Sequence, residues 1–271
     1  PECETDKAPI IIGTGTEQVE ENLKIFFPDA RILRMDRDTL QGKHSLSRMH
    51  NRISKHEVDI VIGTQLVTKG HDFPEVTLVG VILSDLSLNI PDFRSSERTF
   101  QLLTQVAGRA GRGKKPGEVL IQTHNPRHHS LICAKEHDSL QFHEIELEQR
   151  DNLRMPPNYS LTLILCSSPR EERAEILARE LDTKIRVIIS ENKSNTYNNQ
   201  NNYAHTDYPA NIIGPFEAPI KKLRNRFRWQ IILKADDIRP LLNLLHVVFE
   251  NPPATKRDEL IQIDIDPYNL M

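Results

Sequence analysis

Two short stretches concentrate the residues whose types and spacing can do chemistry. Residues 105–112 read Gln105-Val106-Ala107-Gly108-Arg109-Ala110-Gly111-Arg112, and residues 63–74 read Gly63-Thr64-Gln65-Leu66-Val67-Thr68-Lys69-Gly70-His71-Asp72-Phe73-Pro74. On a helix, Gln105, Arg109 and Arg112 fall at i, i+4 and i+7 and share one face. Two guanidiniums and an amide on one face suit the clamping of a phosphate chain, because the planar guanidinium forks onto phosphate oxygens. Gly108, Gly111 and Gly113 stand among them, each costing about 1 kcal/mol of helix propensity. Close approach of the backbone to a ligand accounts for that choice. In the second stretch, Gly70 lets a backbone amide reach a phosphate or ribose. Asp72 can accept a hydrogen bond from a ribose hydroxyl or a partner arginine. The alternative for this stretch is an ordinary loop with solvated charges.

These residues need elements to hold them. Short apolar runs at 9–13, 31–35, 58–62, 77–83 and 118–123 read as strands, mostly apolar on both faces as a covered parallel sheet requires. Between them lie helix candidates. The first opens at Thr14 with Glu17 completing a capping box, and sets Val19, Leu23, Phe26 and Phe27 on one face. A second covers 43–55 with Leu46, Met49 and Ile53 in register, and a third runs from Ser95 into the Gln105 segment. Alternating strands and helices of this size predict a three-layer α/β domain over 1–150, with ligands at the carboxyl ends of the strands. Gly63-Thr64-Gln65 follows such a strand end.

A charged helix over 131–150 ends before Met155-Pro156-Pro157, which marks a boundary. A smaller α+β domain over 151–271 follows, with strands at 161–166, 228–234 and 260–265 and helices at 170–189 and 240–249. Two strand–helix–strand halves suit a small sheet with its helices on one face. Residues 191–211 are polar, Asn-rich and low in complexity, and are expected to form a disordered insertion.

Other clusters are weaker. Gly13-Thr14-Gly15-Thr16-Glu17-Gln18 imitates a dinucleotide fingerprint, but Gln18 takes the third glycine position and Glu17 would repel a pyrophosphate. It reads as a tight strand-to-helix turn. Asp36-Arg37-Asp38 fits a pairing with Arg98, a nucleic-acid contact or a surface ion network. His128-His129 lacks metal-ligand spacing, and no nucleophilic triad is indicated. The run Lys221-Lys222-Leu223-Arg224-Asn225-Arg226-Phe227-Arg228-Trp229 is basic at five of nine positions with two aromatics interleaved. Arg224, Arg226, Arg228 and Trp229 therefore suit single-strand binding by phosphate neutralisation and base stacking. The alternative is an edge hairpin with its charges in water.

Composition narrows the classes. The 271 residues suffice for two domains, and the net charge of −3 supplies no global field toward nucleic acid, so any such contact uses local patches. Three cysteines, at 3, 133 and 166, are too few and too dispersed for a disulfide framework, which fits a reducing cytoplasm. No apolar run approaches the roughly 20 residues of a membrane span, and no signal peptide is visible. Pro1-Glu2-Cys3 resembles the tail of a zinc knuckle, although one cysteine cannot hold a structural zinc.

The two leading stretches resemble motifs V and VI of superfamily 2 helicases. Asp36-Arg37-Asp38, Pro91-Asp92-Phe93-Arg94, Glu97-Arg98-Thr99-Phe100-Gln101-Leu102-Leu103 and Gly214-Pro215…Ala218-Pro219…Arg228-Trp229-Gln230 resemble, more specifically, the bacterial replication-restart branch of that superfamily. The resemblance implies a second RecA-like helicase lobe followed by the family's C-terminal domain. ATP with magnesium would sit between two lobes. Arg109 and Arg112 would reach the γ-phosphate, one as arginine finger, with Gln105 positioning them. Gly70, Asp72 and Gly108 would contact or sense the nucleotide, and Thr64, Gln65 and Lys69 the DNA. Forked and single-stranded DNA, the single-stranded DNA-binding protein, other primosome proteins and an N-terminal helicase portion carrying zinc are the implied partners.

The sequence departs from the complete motor in one respect. It contains no Gly-x-x-x-x-Gly-Lys-Ser/Thr phosphate loop, the nearest approach being Gly108 to Gly113-Lys114-Lys115. The expectation is an inactive isolated chain that works with a separate first lobe. A catalytically silent module for DNA and protein binding is the competing reading.

Overall fold

The computed structural model describes residues 15–36, 45–64, 75–82, 84–108, 110, 116–198 and 211–270. Among them, eight helices and eight strands make a mixed α/β chain with small sheets. The chain divides into two compact units, Pro1–Leu88 with Arg98–Asp138, and Asn89–Glu97 with Ser139–Met271.

In the first unit, β1 (Ile32–Met35) and β2 (Ile60–Gly63) pair in parallel, with Met35 opposite Gly63. Likewise β3 (Leu78–Val81) and β4 (Glu118–Ile121) pair in parallel, with Val81 opposite Ile121. The helices are α1 (Thr16–Phe26), α2 (Ser45–Ser54), α3 (Asp85–Leu88), most of α4 (Ser95–Ala107) and α5 (His129–Glu136). The parallel pairing is as the apolar runs predict, and the strand expected at 9–13 lies outside the described residues.

Three local expectations change. Helix α1 starts at Thr16, two residues after the expected opening, and its N-cap is Gly15, which offers no side-chain cap; Thr14 itself lies outside the described residues. Val19 and Leu23 are half-buried on α1, but Phe26 and Phe27 are exposed. Strands β3 and β4 are not covered on both faces, because Leu78 and Leu120 remain exposed in alternation with half-buried neighbours.

The second unit carries α6 (Ser139–Asn152), then β5 (Ser160–Ser168), α7 (Glu171–Asn198), β6 (Asn211–Leu223), β7 (Arg226–Ala235), α8 (Ile238–Glu250) and β8 (Leu260–Ile265). The sheet order is β6-β7-β5-β8 with every neighbour antiparallel, the split βαβ pattern of two interleaved halves. Helices α7 and α8 share one face. Their Leu177, Leu181, Ile185, Leu241, Leu244 and Val248 pack on Ile164, Cys166, Ile231 and Leu233. The opposite face, at Leu161, Leu163 and Ile232, is covered by Leu270, Phe93, Met155 and Phe216.

Sequence reading left β6 out and ended α7 too early. Pro215 and Pro219 argue against a strand, but β6 lies at the sheet edge and its register shifts at Ile213/Phe216 and Glu217/Lys222, where prolines are tolerated. Gly214 adopts φ +112°, and a Cβ there would meet the Gln230 carbonyl at 2.8 Å, so only glycine fits. Helix α7 runs to Asn198, which takes the first residues of the expected insertion into a helix. Residues 199–210 lie outside the described residues.

Burial pushes the Cys166 thiol up from 9.0 to about 12. The folded state therefore holds this proton more tightly than the unfolded chain does. The stability tied to it is complete below about pH 9 and is lost as pH rises toward the folded value. Denaturant unfolding followed by the emission of Trp229, the only tryptophan, should show stability falling between pH 9 and 11, and more steeply for the parent chain than for Cys166→Ala.

Candidate functional site

Parallel pairing brings strand ends to a common rim. Because Met35 stands opposite Gly63, Asp36 and Thr64 emerge side by side at the carboxyl ends of β1 and β2. Thr64 is exposed in the bend that follows. Asp36 is buried and accepts a hydrogen bond from Thr16 Oγ1 at 2.9 Å. It also lies 2.9 Å from Arg34 Nε, and Arg34 reaches Glu17 at 3.1 Å and Glu20 at 3.7 Å. For Asp36 these contacts make an ion network, one of the three readings left open for Asp36-Arg37-Asp38; Arg37 and Asp38 lie outside the described residues. The network ties α1 to the rim.

The other pair has a comparable lock. Asp85, just beyond β3, accepts hydrogen bonds from Thr123 Oγ1 at 2.7 Å and the His124 amide at 2.8 Å, just beyond β4. Ser84 Oγ donates to the Gln122 carbonyl at 2.9 Å. The backbone bond from His124 leads the causes that hold the Asp85 carboxyl below its ordinary value.

Helix α4 delivers the second leading stretch. Phe100, Leu103 and Val106 are buried, and Gln105 stands exposed in the last turn. The helix stops at Ala107, before Arg109, so α4 does not supply the common helical face expected for Gln105, Arg109 and Arg112. Gly108 ends it. Among the described residues, a Cβ on Gly108 would meet only ordinary contacts, the nearest at 3.6 Å from the Thr104 carbonyl, so packing does not demand glycine there. Arg109, Arg112, Gln65, Lys69, Gly70 and Asp72 lie outside the described residues, as does Cys3. Among the described residues, no three His, Cys, Asp or Glu side chains are placed to hold a metal. His128 instead caps α5, accepting from the Ser130 amide at 3.2 Å, and its ring stacks on His129. No helix among the described residues is long and apolar enough to cross a membrane.

The basic run of the second unit does not form one surface. Alternation along β7 sends Trp229 to the helix side, where it packs against the core with Arg179 5.7 Å above its ring. Arg226 and Arg228 face the other way. Arg226 donates to Ser167 Oγ, the Ser167 carbonyl and the Asp258 carbonyl. Arg228 is only 7% exposed, donates one long bond of 3.5 Å to the Ile220 carbonyl, and has its pKa lowered by burial. Lys221 is held by Glu171 and Glu217. The exposed cations of the run with no carboxylate partner among the described residues are Lys222 and Arg224, at a two-residue turn where Arg224 and Asn225 have φ +50° and +60°. Lys222 lies 4.7 Å from the Phe227 ring.

One cluster carried no signal beyond the Pro91-Asp92-Phe93-Arg94 text. Arg150, in α6, donates to Glu146 at 2.9 Å and Glu97 at 2.7 Å, and its guanidinium lies 5.4 Å from the Phe93 ring. The Arg94 guanidinium lies 5.1 Å from that ring and 4.7 Å from the Tyr268 ring. All these residues belong to the second unit.

Residues 151–268, which hold the four-stranded sheet, match the family of the primosomal protein N C-terminal domain. Over its whole length the chain is similar to the C-terminal portion of replication restart protein PriA. It is 37% identical to that of Bacillus subtilis over 273 residues and 34% identical to that of Synechocystis over 270, with all of this chain covered in each case. Against that of Haemophilus influenzae it is 33% identical over 96% of the chain. The chain spans about a third of the length of these relatives: 32%, 30% and 33%.

The lock at Asp85 yields a test. Asp85→Asn should slow no chemistry but cost the first unit about 1 to 2 kcal/mol, the worth of charge-assisted hydrogen bonds. Hydrogen exchange should accelerate at the His124 amide. The parent's advantage should shrink as pH falls through the acid range, because a depressed carboxyl stabilises only while ionised.

Proposed function

We propose that the chain is the second motor lobe and C-terminal domain of an ATP-dependent 3′-to-5′ DNA helicase of replication restart. The observation that carries the reading is the position of its two motif stretches. One opens at the carboxyl end of a parallel strand, at Thr64, and the other at the exposed end of α4, at Gln105. Open parallel sheets bind ligands at those ends. The similarity to replication restart proteins supports it.

In this reading the first unit is RecA-like. Gln105 orients Arg109 and Arg112 toward a triphosphate, and their guanidiniums counter the charge that develops on the γ-phosphate. Gly108 gives the backbone room to approach, and Gly70 and Asp72 relay nucleotide state. Thr64, Gln65 and Lys69 touch DNA. ATP with magnesium supplies the phosphoanhydride that drives translocation. The residues present fit only part of that site, because the sequence has no phosphate loop, so an N-terminal helicase portion must complete it. Zinc belongs to that portion, since Cys3 alone cannot make a four-ligand site. The buried thiols Cys133 and Cys166 suit a reducing cytoplasm. The second unit contributes DNA contact at Lys222 and Arg224 and docks the single-stranded DNA-binding protein and other primosome proteins. The lack of a phosphate loop favours one other reading, a silent DNA- and protein-binding module.

In a full-length protein that carries this chain, Arg112→Ala should lower ATP turnover by roughly 10³-fold or more, as for other arginine fingers. Unchanged turnover removes that role and favours the silent module. For the isolated chain, Lys222→Ala with Arg224→Ala should weaken single-strand binding and flatten the plot of log affinity against log salt by up to about 1.5. An unaltered slope returns the hairpin tip to a solvated turn.

A further inference from the structure

The four-stranded sheet of the second unit has two edges, and the sequence treats them differently. Strand β6 carries Pro215, Pro219, Lys221 and Lys222 and two register shifts, the devices that keep an edge from pairing with another chain. Strand β8 reads Leu260-Ile261-Gln262-Ile263-Asp264-Ile265, with no proline, no lysine and an unbroken register. Among the described residues its one strand neighbour is β5. Ile263 and Ile265 are 40% and 39% exposed. An open, β-branched edge of this kind is a template for another strand.

The register fixes which backbone groups of β8 are open. Just past the strand, the Asp266 amide donates to the Leu161 carbonyl at 2.8 Å. Counting back in steps of two, Asp264, Gln262 and Leu260 turn their amides and carbonyls toward Leu163, Leu165 and Ser167 of β5. Ile261, Ile263 and Ile265 therefore turn theirs outward. A second β8 laid antiparallel and centred on Ile263 meets all of them. Ile263 then opposes its own copy, and Ile261 opposes Ile265 on either side. The isoleucine pairs line one face and cover apolar surface that is now wet. On the other face Gln262 opposes Asp264, so an amide donates to a carboxylate and no like charges stand directly opposite. Other registers serve worse. A centre at Ile265 sets Asp264 against Asp266, and a centre at Ile261 carries Ile265 past the start of the other strand. We propose that β8 pairs with β8 of a second copy of this chain, antiparallel about Ile263, joining the two sheets edge to edge. Such a contact uses the same patch on both copies, so it closes at two. One short edge is small against the roughly 800 Å² per partner of a stable interface, so the dimer is weak and concentration-dependent.

The test is sedimentation velocity on this chain at concentrations up to about 1 mM, where even a weak pair is populated. A monomer–dimer equilibrium is expected, with nothing larger. Gln262→Lys sets an ammonium opposite Asp264 at two symmetric positions and should tighten the dimer by about two- to thirtyfold. Gln262→Glu should loosen it by a similar factor, because like charges then oppose. Gln262 is exposed, so neither change disturbs the core. As the parent chain is concentrated, hydrogen exchange should slow at the Ile261, Ile263 and Ile265 amides. It should stay constant at Gln262 and Asp264, whose amides already face β5. A monomer at every concentration overturns the proposal. So does a dimer that ignores both charges at position 262, or one that protects amides only outside β8.

Discussion

Strand β5 is buried on both faces, and the rest of the second unit follows from satisfying them. One face presents Ile164 and Cys166 to α7 and α8, and the other presents Leu161 and Leu163. Full burial of such side chains contributes about 1.5 to 3 kcal/mol each, which is lost if either face is left wet. Two helices cover the first face. The second receives Phe93 from far upstream, Met155 from beyond α6 and Leu270 from the end of the described chain. A sheet with one helical layer thus draws its second layer from distant segments. Phe93 arrives together with Arg94 and Glu97, and all three belong to the second unit.

The same alternation rule explains what the sequence concealed at the basic run. Read as a string, arginines and aromatics interleave and invite a picture of phosphates and bases bound together. On a strand, interleaving means separation, because neighbours point to opposite faces. Trp229 goes to the helix core and Arg228 to the other side, so the pattern that evoked nucleic acid was largely the signature of β7. The turn residues were the better guide. Arg224 and Asn225 both take positive φ, a hairpin geometry that keeps both side chains outside the ladder.

Elements with local causes were legible and those with distant causes were not. The apolar periodicity of α7, with Leu177, Leu181 and Ile185 on one face, the largely apolar run at β1 and the β-branched residues of β2 and β8 mark themselves. Strand β6 was hidden because its prolines oppose a strand unless it lies at an edge, and edge position is a property of the whole sheet. The Glu97–Arg150 pair joins residues 53 apart in sequence, with no spacing rule to predict it. In the candidate site, Gln105 and Thr64 were legible because motif and element end coincide. Asp85 was not, because its partners Thr123 and His124 come from a strand end 38 and 39 residues away.

The charge balance bears on how such a chain can hold DNA. With a net charge of −3, attraction beyond about 10 Å is screened at ordinary salt, so only local cations act. Around the hairpin, carboxylates engage Lys221, and backbone and hydroxyl oxygens engage Arg226, which leaves Lys222 and Arg224 exposed. Two phosphate contacts give weak binding that salt readily erases. In the proposed helicase reading, further contacts come from the 63–74 stretch or from another lobe.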